Sequence, residues 1–152
     1  MFNLKAILAA GAAAAIAVVA TTATAEMMSV QDKRVATMKA LGGHMKALSG
    51  VAKGEMAANE ATVVHAMAVG EIANTVTLLF PAGSGGGDSR ALPEIWSDWA
   101  GFEKAADALA AAAPGLVEAA KSGDQGKIGA ALGMAGKACG GCHKPFRAEK
   151  KS

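Results

Sequence analysis

An all-α fold, an up-down-up-down four-helix bundle, is predicted for residues 26–152. Four segments repeat apolar residues at alternating spacings of three and four, the rhythm of a helix seam facing a bundle core. No segment is a good candidate for a strand, with its alternation of apolar and polar residues. Two of the three connections are short, which makes successive helices antiparallel neighbours. The core available to them is rich in alanine and methionine, since aromatic residues are only 4% of the chain and tyrosine is absent.

Met1 to Ala25 reads as a leader rather than as part of the bundle. Lys5 gives a positive start, Ala6 to Ala20 an apolar run, and Ala23-Thr24-Ala25 a small-x-small cleavage site, so the working chain is expected to begin at Glu26. The competing reading is an uncleaved membrane anchor. The alanine-rich run and the cleavage signal argue against it, and no stable membrane insertion is expected after cleavage. What remains is one domain, of a size that buries about two thirds of its surface. Losing Lys5 from 15 basic and 13 acidic side chains leaves a net charge of +1, which argues against nucleic acid as the main partner.

The first helix is predicted from about Val30 to about Lys53. Ser29 with Asp32 supplies its N-terminal cap region. Met38, Leu41, Met45, Leu48 and Ala52 form a heptad seam, with Arg34 one turn before Met38 on the same face. A second stripe, Ala36, Ala40, Gly43, Ala47 and Val51, is mostly small and permits close approach of a helix from the bundle or from a second copy. The second helix is predicted from about Glu60, after Asn59 as cap, to Leu79, and Pro81 stops it. Its inner face is read as Val64 or His65, Ala68, Ile72, Val76 and Leu79. The glycine-rich loop from Ala82 to Leu92 reads as a crossover connector, with a flap over a cofactor edge as the alternative.

The third helix opens at Pro93, a favoured first position. Ile95, Trp99, Phe102, Ala106, Leu109 and Ala113 run along its seam, and Leu116 and Ala120 continue it. Pro114-Gly115 is expected to kink or break it. Asp124 caps the fourth helix, whose seam is Ile128, Leu132, Ala135, Cys139, Cys142 and Phe146. Gly129, Gly133, Gly136 and Gly140 form a stripe on that helix. Each costs about 1 kcal/mol against alanine. Unless the spacing is accidental, a neighbouring helix or a cofactor is expected to lie close.

Cys139-Gly140-Gly141-Cys142-His143 carries the chemistry. Two cysteines three apart, with a histidine directly after the second, are the attachment pattern of a c-type haem. Each thiol can form a thioether with a haem vinyl group, and the histidine becomes an axial iron ligand. The chain has two cysteines in all. A redox dithiol wants a βαβ setting, which is not visible here. A zinc site needs about four ligands, and no second Cys or His pair sits at ligand spacing. On a helix the three side chains fall within about 100° of arc, so one helix can staple and ligate one side of a single covalent haem c. Covalent haem attachment takes place outside the bacterial cytoplasm, which agrees with export and makes the periplasm the expected location.

With these residues the chain resembles the class II c-type cytochromes. Their best-known members are the cytochromes c′, a standing example of the up-down four-helix bundle. The resemblance covers essentially all of residues 26–152. On the first helix its anchors are Arg34-x-x-x-Met38, Leu41-Gly42-Gly43 and Lys53-Gly54. Leu79-Phe80-Pro81 closes the second helix and Pro93-Glu94-Ile95-Trp96 opens the third. Cys139-x-x-Cys142-His143-x-x-Phe146-Arg147 is the most specific anchor. The resemblance implies that Cys139 and Cys142 hold the haem and that His143 is the proximal ligand. It implies that Arg147 lies beside that histidine and that Arg34 approaches a haem propionate, a carboxylate that a guanidinium suits. Asp88 aligns loosely with a residue near the propionates. Pro114 and Pro145 depart from the pattern, and both can shift local geometry without removing the haem.

Met38 decides between two functions. It stands where the family presents its distal residue to the open face of the iron. In cytochromes c′ that residue blocks the site without bonding, leaving five-coordinate iron that binds NO or CO. In low-spin relatives a methionine at about this place bonds the iron and gives a six-coordinate electron carrier. The spacing fits both. The first is the main expectation: an electron-transfer haem protein, not an enzyme, that meets redox partner proteins and NO or CO. His44 lies off the Met38 seam and His65 borders the second helix's inner face, which makes both poor candidates for an iron ligand. Met45 reads as packing, and Trp96 and Trp99 as core and rim. A haem peroxidase fits badly, since the first helix offers Met38, Leu41 and Met45 in place of a distal acid–base pair. The resemblance also makes a homodimer through the first helix an expectation, with which the small-residue stripe is compatible.

Overall fold

The computed structural model describes residues 28–86 and 89–149. The expected leader, Met1 to Ala25, lies outside the described residues, and so does Asp88. In chain order the elements are α1 (Val30–Ala52), α2 (Glu60–Thr75), a 3₁₀ turn (Val76–Leu79), α3 (Glu94–Ser97), α4 (Trp99–Ser122) and α5 (Gln125–Phe146). Helix α1 packs on α2, α2 on α4, α4 on α5 and α5 on α1, and among the described residues neither diagonal pair approaches closely. That cyclic order is the up-down-up-down bundle. The described residues hold one isolated antiparallel bridge, between Ala91 and Arg147, and no strand.

Local chemistry sets the helix ends. The Asp32 N–H donates to Ser29 Oγ at 3.1 Å. Asn59 and Thr62 build a capping box at the start of α2, in which the Asn59 N–H donates to Thr62 Oγ1 at 3.0 Å. Helix α1 closes in a Schellman motif: the Glu55 N–H donates to Gly50 O at 2.9 Å and the Gly54 N–H to Val51 O at 3.0 Å. Gly54 takes the left-handed conformation that motif needs, at φ +75°.

Two apolar clusters fill the bundle. The larger joins Leu41, Leu48 and Val51 to Val69, Leu116 and Ile128. The smaller, at the other end, joins Val76, Phe80, Ile95, Phe102, Ala106 and Phe146. The predicted seams of the first, third and fourth helices therefore face the core. The α2 face matches in part: Val76 is buried and Ile72 and Leu79 pack against the two clusters, but the buried positions within the helix are Thr62, Ala66, Val69 and Ala73, and Val64 is 61% exposed. The cause is close packing on α4. A Cβ on Gly70 would stand 3.3 Å from the Ala113 Cβ, and only small side chains fit such an approach.

One further expectation is corrected. Helix α4 runs unbroken through Pro114 and Gly115. The interruption falls instead at Asp98 (φ −124°, ψ 60°), whose carboxylate accepts the Gly101 N–H at 3.1 Å and so caps α4. Helix α5 continues past Pro145 to Phe146, the last residue of its expected seam. Along the glycine stripe of α5, a Cβ on Gly129 would stand 3.8 Å from the Ala52 Cβ of α1, an ordinary contact, while one on Gly133, Gly136 or Gly140 would meet no protein atom within 4 Å, and those three are exposed. Gly133→Ala and Gly136→Ala are each expected to stabilise the fold by about 0.5–1 kcal/mol, because alanine fits the helical backbone and restricts the unfolded chain. Urea unfolding of the haem-loaded protein reads this as a higher midpoint, and a lower midpoint would mean that the face is covered after all.

Candidate cofactor site

Cys139 and Cys142 lie one turn apart on α5, both half-buried, with His143 beside them. Cys139 packs against the larger cluster and Cys142 against the smaller, so the motif straddles their junction. Met38 of α1 touches both clusters as well. A cavity of about 390 Å³ opens at this junction, lined by Met38, Cys142 and His143 and walled by Val76, Phe80, Ile95, Phe102 and Phe146. A smaller void of about 40 Å³ shares Met38, Cys142 and His143 with it and adds Cys139. The three motif side chains and Met38 thus face one connected region.

Cys139 and Cys142 form no disulfide. Burial pushes the Cys139 thiol up, against a smaller lowering by its own backbone hydrogen bond. Burial also pushes Cys142 up, with a further push from Cys139 and an opposing pull from Arg147. His143 moves the other way: burial pulls it below the ordinary imidazole value, and the charges of Arg147 and Arg90 pull it further. This favours the neutral ring, the form that ligates metals.

Cations surround the cavity. Arg34, Lys39, Arg90 and Arg147 line it, and among the described residues no Asp or Glu does. Such a lining suits an occupant with an apolar body and carboxylates at one edge. Haem has that chemistry, and the two thiols and the imidazole stand where it would be stapled and ligated. The residues present fit haem c.

Arg34 does more than the sequence implies. It is only 4% exposed. Its Nε donates to Leu79 O at 2.5 Å, and its terminal nitrogens donate to Ser84 O at 2.8 Å and to Ser84 Oγ. The guanidinium also lies over the Phe80 ring, 4.5 Å from its centroid, and 5.5 Å from that of Trp96. Burial pulls its pKa down. Arg34 therefore pegs the glycine-rich loop to α1, and its two unused N–H donors remain for an anion in the cavity.

The end of that loop is part of the site, not only a crossover. The Leu92 N–H donates to Phe146 O at 3.1 Å and the Ala148 N–H to Arg90 O at 2.8 Å. The Arg90 Nε donates to Ala148 O at 2.8 Å. These bonds tie the loop to the end of α5 and set Ser89 and Arg90 into the cavity wall near Arg147 and His143. Sequence reasoning missed Ser89 and Arg90. Their signal was an arginine three positions after the glycine run, in a chain that needs cations for carboxylates. Met45 is half-buried against the core, as expected for packing. Trp96 and Trp99 are half-buried against the smaller cluster, and Trp96 Nε1 donates to Pro81 O at 3.0 Å. His44 and His65 do not line the cavity; they meet each other.

A four-helix bundle that gathers two thiols, an imidazole and a cationic rim around one apolar cavity defines a c-type haem protein. The family model described as Cytochrome C' matches residues 29–147. A cytochrome c' from Pararhodospirillum photometricum is 38% identical over 117 residues, covering 76% of this chain and 94% of that protein. A cytochrome c-556 from Agrobacterium tumefaciens strain B2A is 36% identical over 120 residues, covering 78% and 97%. Two variants of cytochrome c prime from Alcaligenes xylosoxidans, one in complex with nitric oxide and one with carbon monoxide bound, each superpose with a TM-score of 0.71 at 28% identity, over 79% of this chain and 94% of theirs. This chain belongs to the cytochrome c′ family, whose cofactor is one covalently attached haem c.

Proposed function

We propose that this chain is a periplasmic cytochrome c′ that holds its haem through Cys139, Cys142 and His143 and keeps the iron open to NO or CO on the Met38 side. The observation that carries this reading is that Met38 of α1 and His143 of α5 line the same cavity. Haem held there would supply an iron that can alternate between Fe(II) and Fe(III) and take up a diatomic gas.

The chain's own residues do the rest. Cys139 and Cys142 would fix the macrocycle to α5, and neutral His143 would offer a ring nitrogen to the iron. Arg34, Arg90 and Arg147 face the carboxylates. Met38, Val76 and Phe102 would give the cavity an apolar wall that excludes water. Redox partner proteins give and take the electron, and no substrate is turned over. The leader from Met1 to Ala25 supports the periplasmic address, and the exposed Ala36, Ala40 and Gly43 of α1 suit a homodimer.

The Met38 thioether and the likeness to a cytochrome c-556 favour a second reading, a six-coordinate electron carrier with Met38 bound to the iron. Titrating the reduced protein with CO separates the two. The open form is expected to bind one CO per haem, and Met38→Ala is expected to tighten binding by roughly tenfold, about 1.4 kcal/mol, by clearing the side chain from the site. Binding of CO by Met38→Ala alone would favour the second reading.

A further inference from the structure

We propose that His44 and His65 form a second metal site, a two-imidazole seat for one divalent transition-metal ion of the copper(II) type, bridging α1 and α2 outside the haem cavity. The two Nδ1 atoms stand 2.9 Å apart, on rings whose centroids are 5.2 Å apart and tilted by 50°. Both rings are half-buried, so an ion can reach them from solvent. One proton fits between two nitrogens in such contact, so at least one Nδ1 presents a lone pair there.

The spacing is that of two neighbouring ligands on one ion. Nitrogens about 2.0–2.1 Å from a metal stand ~2.9 Å apart at a right angle and ~3.3 Å apart in a tetrahedron. The observed separation is the right-angle one, the tetragonal geometry that copper(II) and nickel(II) favour, and copper heads the affinity order for such sites. A small rotation of the two rings aims both lone pairs at a common point.

The surroundings suit an exchangeable ion. Positions three and four residues from either histidine, the helix neighbours, hold alanine, leucine, valine and one threonine. No lysine or arginine at those positions repels a cation. Among the described residues no group of three or more ligating side chains occurs, so water completes the coordination. The chain has three histidines, and with His143 in the haem site these two are the whole remaining imidazole supply. His44 also lies six residues beyond Met38, about 9 Å along α1, so the site is distinct from the haem cavity.

The test is a titration of the untagged, haem-loaded protein with copper(II), followed by calorimetry and by electron paramagnetic resonance. One copper(II) per chain is expected, at least tenfold tighter than in the H44A/H65A double variant, with a hyperfine pattern from two nitrogens that each single variant reduces. Copper(II) is also expected to raise the melting temperature of the wild type and not of the double variant. An unchanged haem spectrum and far-ultraviolet circular dichroism show that a variant is folded; if alanine unfolds it, His44→Gln and His65→Asn take its place. Equal affinity in wild type and double variant, or a pattern that survives both substitutions, would overturn the site and leave only a hydrogen-bonded pair.

Discussion

Replacing Cys139 and Cys142 together by alanine, in cells with a c-type maturation system, is expected to abolish covalent haem. The intact mass is expected to be that of the polypeptide alone, and acid extraction to leave no haem on the chain. Either single variant is expected to keep haem through one thioether. The consequence extends to the fold, because the cavity of about 390 Å³ lies between the two halves of the core. Without haem the apolar walls formed by Val76, Phe80, Phe102 and Phe146 would be left facing water, at about 25 cal/mol per Å² of apolar surface, against an ordinary domain's stability of about 5–15 kcal/mol. The double variant is therefore expected to lose helix content first around Val76, Phe102 and Phe146. A double variant that still carried covalent haem would remove the assignment of both cysteines.

Arg34→Ala is expected to destabilise the haem-loaded protein by about 3 kcal/mol, read from urea unfolding. The substitution strips Leu79 O and Ser84 O of a charged donor and uncovers the Phe80 and Trp96 faces. Hydrogen bonds from charged groups contribute about 1.5–3 kcal/mol each, and losses at neighbouring acceptors do not add fully. Arg34→Lys is expected to recover less than half of the loss, since one ammonium cannot reach three acceptors in a fork. A loss below about 0.5 kcal/mol is what an ordinary surface change gives. It would show that the loop stands without its peg and that Arg34 serves only the haem carboxylates.

The parts of the fold that were legible in the sequence share one property: large residues recur at helical spacing. Phe102, Leu109 and Leu116 mark the inner face of α4 without ambiguity, as Leu41 and Leu48 do for α1. Helix α2 was read only in part, because much of its inner face is built from Ala66, Val69 and Ala73. Periodicity favours the larger Val64, which close packing on α4 leaves outside. The break at Asp98 had a local signal, Ser97-Asp98 before Trp99, that the stronger seam across it obscured. Pro114 carried the opposite signal, yet a proline removes only one hydrogen bond from a helix otherwise held by its packing.

The site divides in the same way. The Cys139, Cys142 and His143 motif is local and readable, while Met38 lay on the seam of α1 and its place by the iron was implied by the family resemblance. Arg90 was hidden because its place depends on bonds to residue 148, 58 positions away in the chain. The second role of Arg34 depends on carbonyls 45 and 50 positions away. The His44–His65 contact is also long-range, across 21 positions. No local pattern brings such pairs together; the bundle does.

The absorption spectrum of the reduced protein, recorded before any gas is added, tests most directly whether the iron is open towards Met38. Broad high-spin visible bands that change on adding CO or NO are expected. Sharp, split low-spin bands that disappear in Met38→Ala would contradict the open site and make Met38 the sixth ligand.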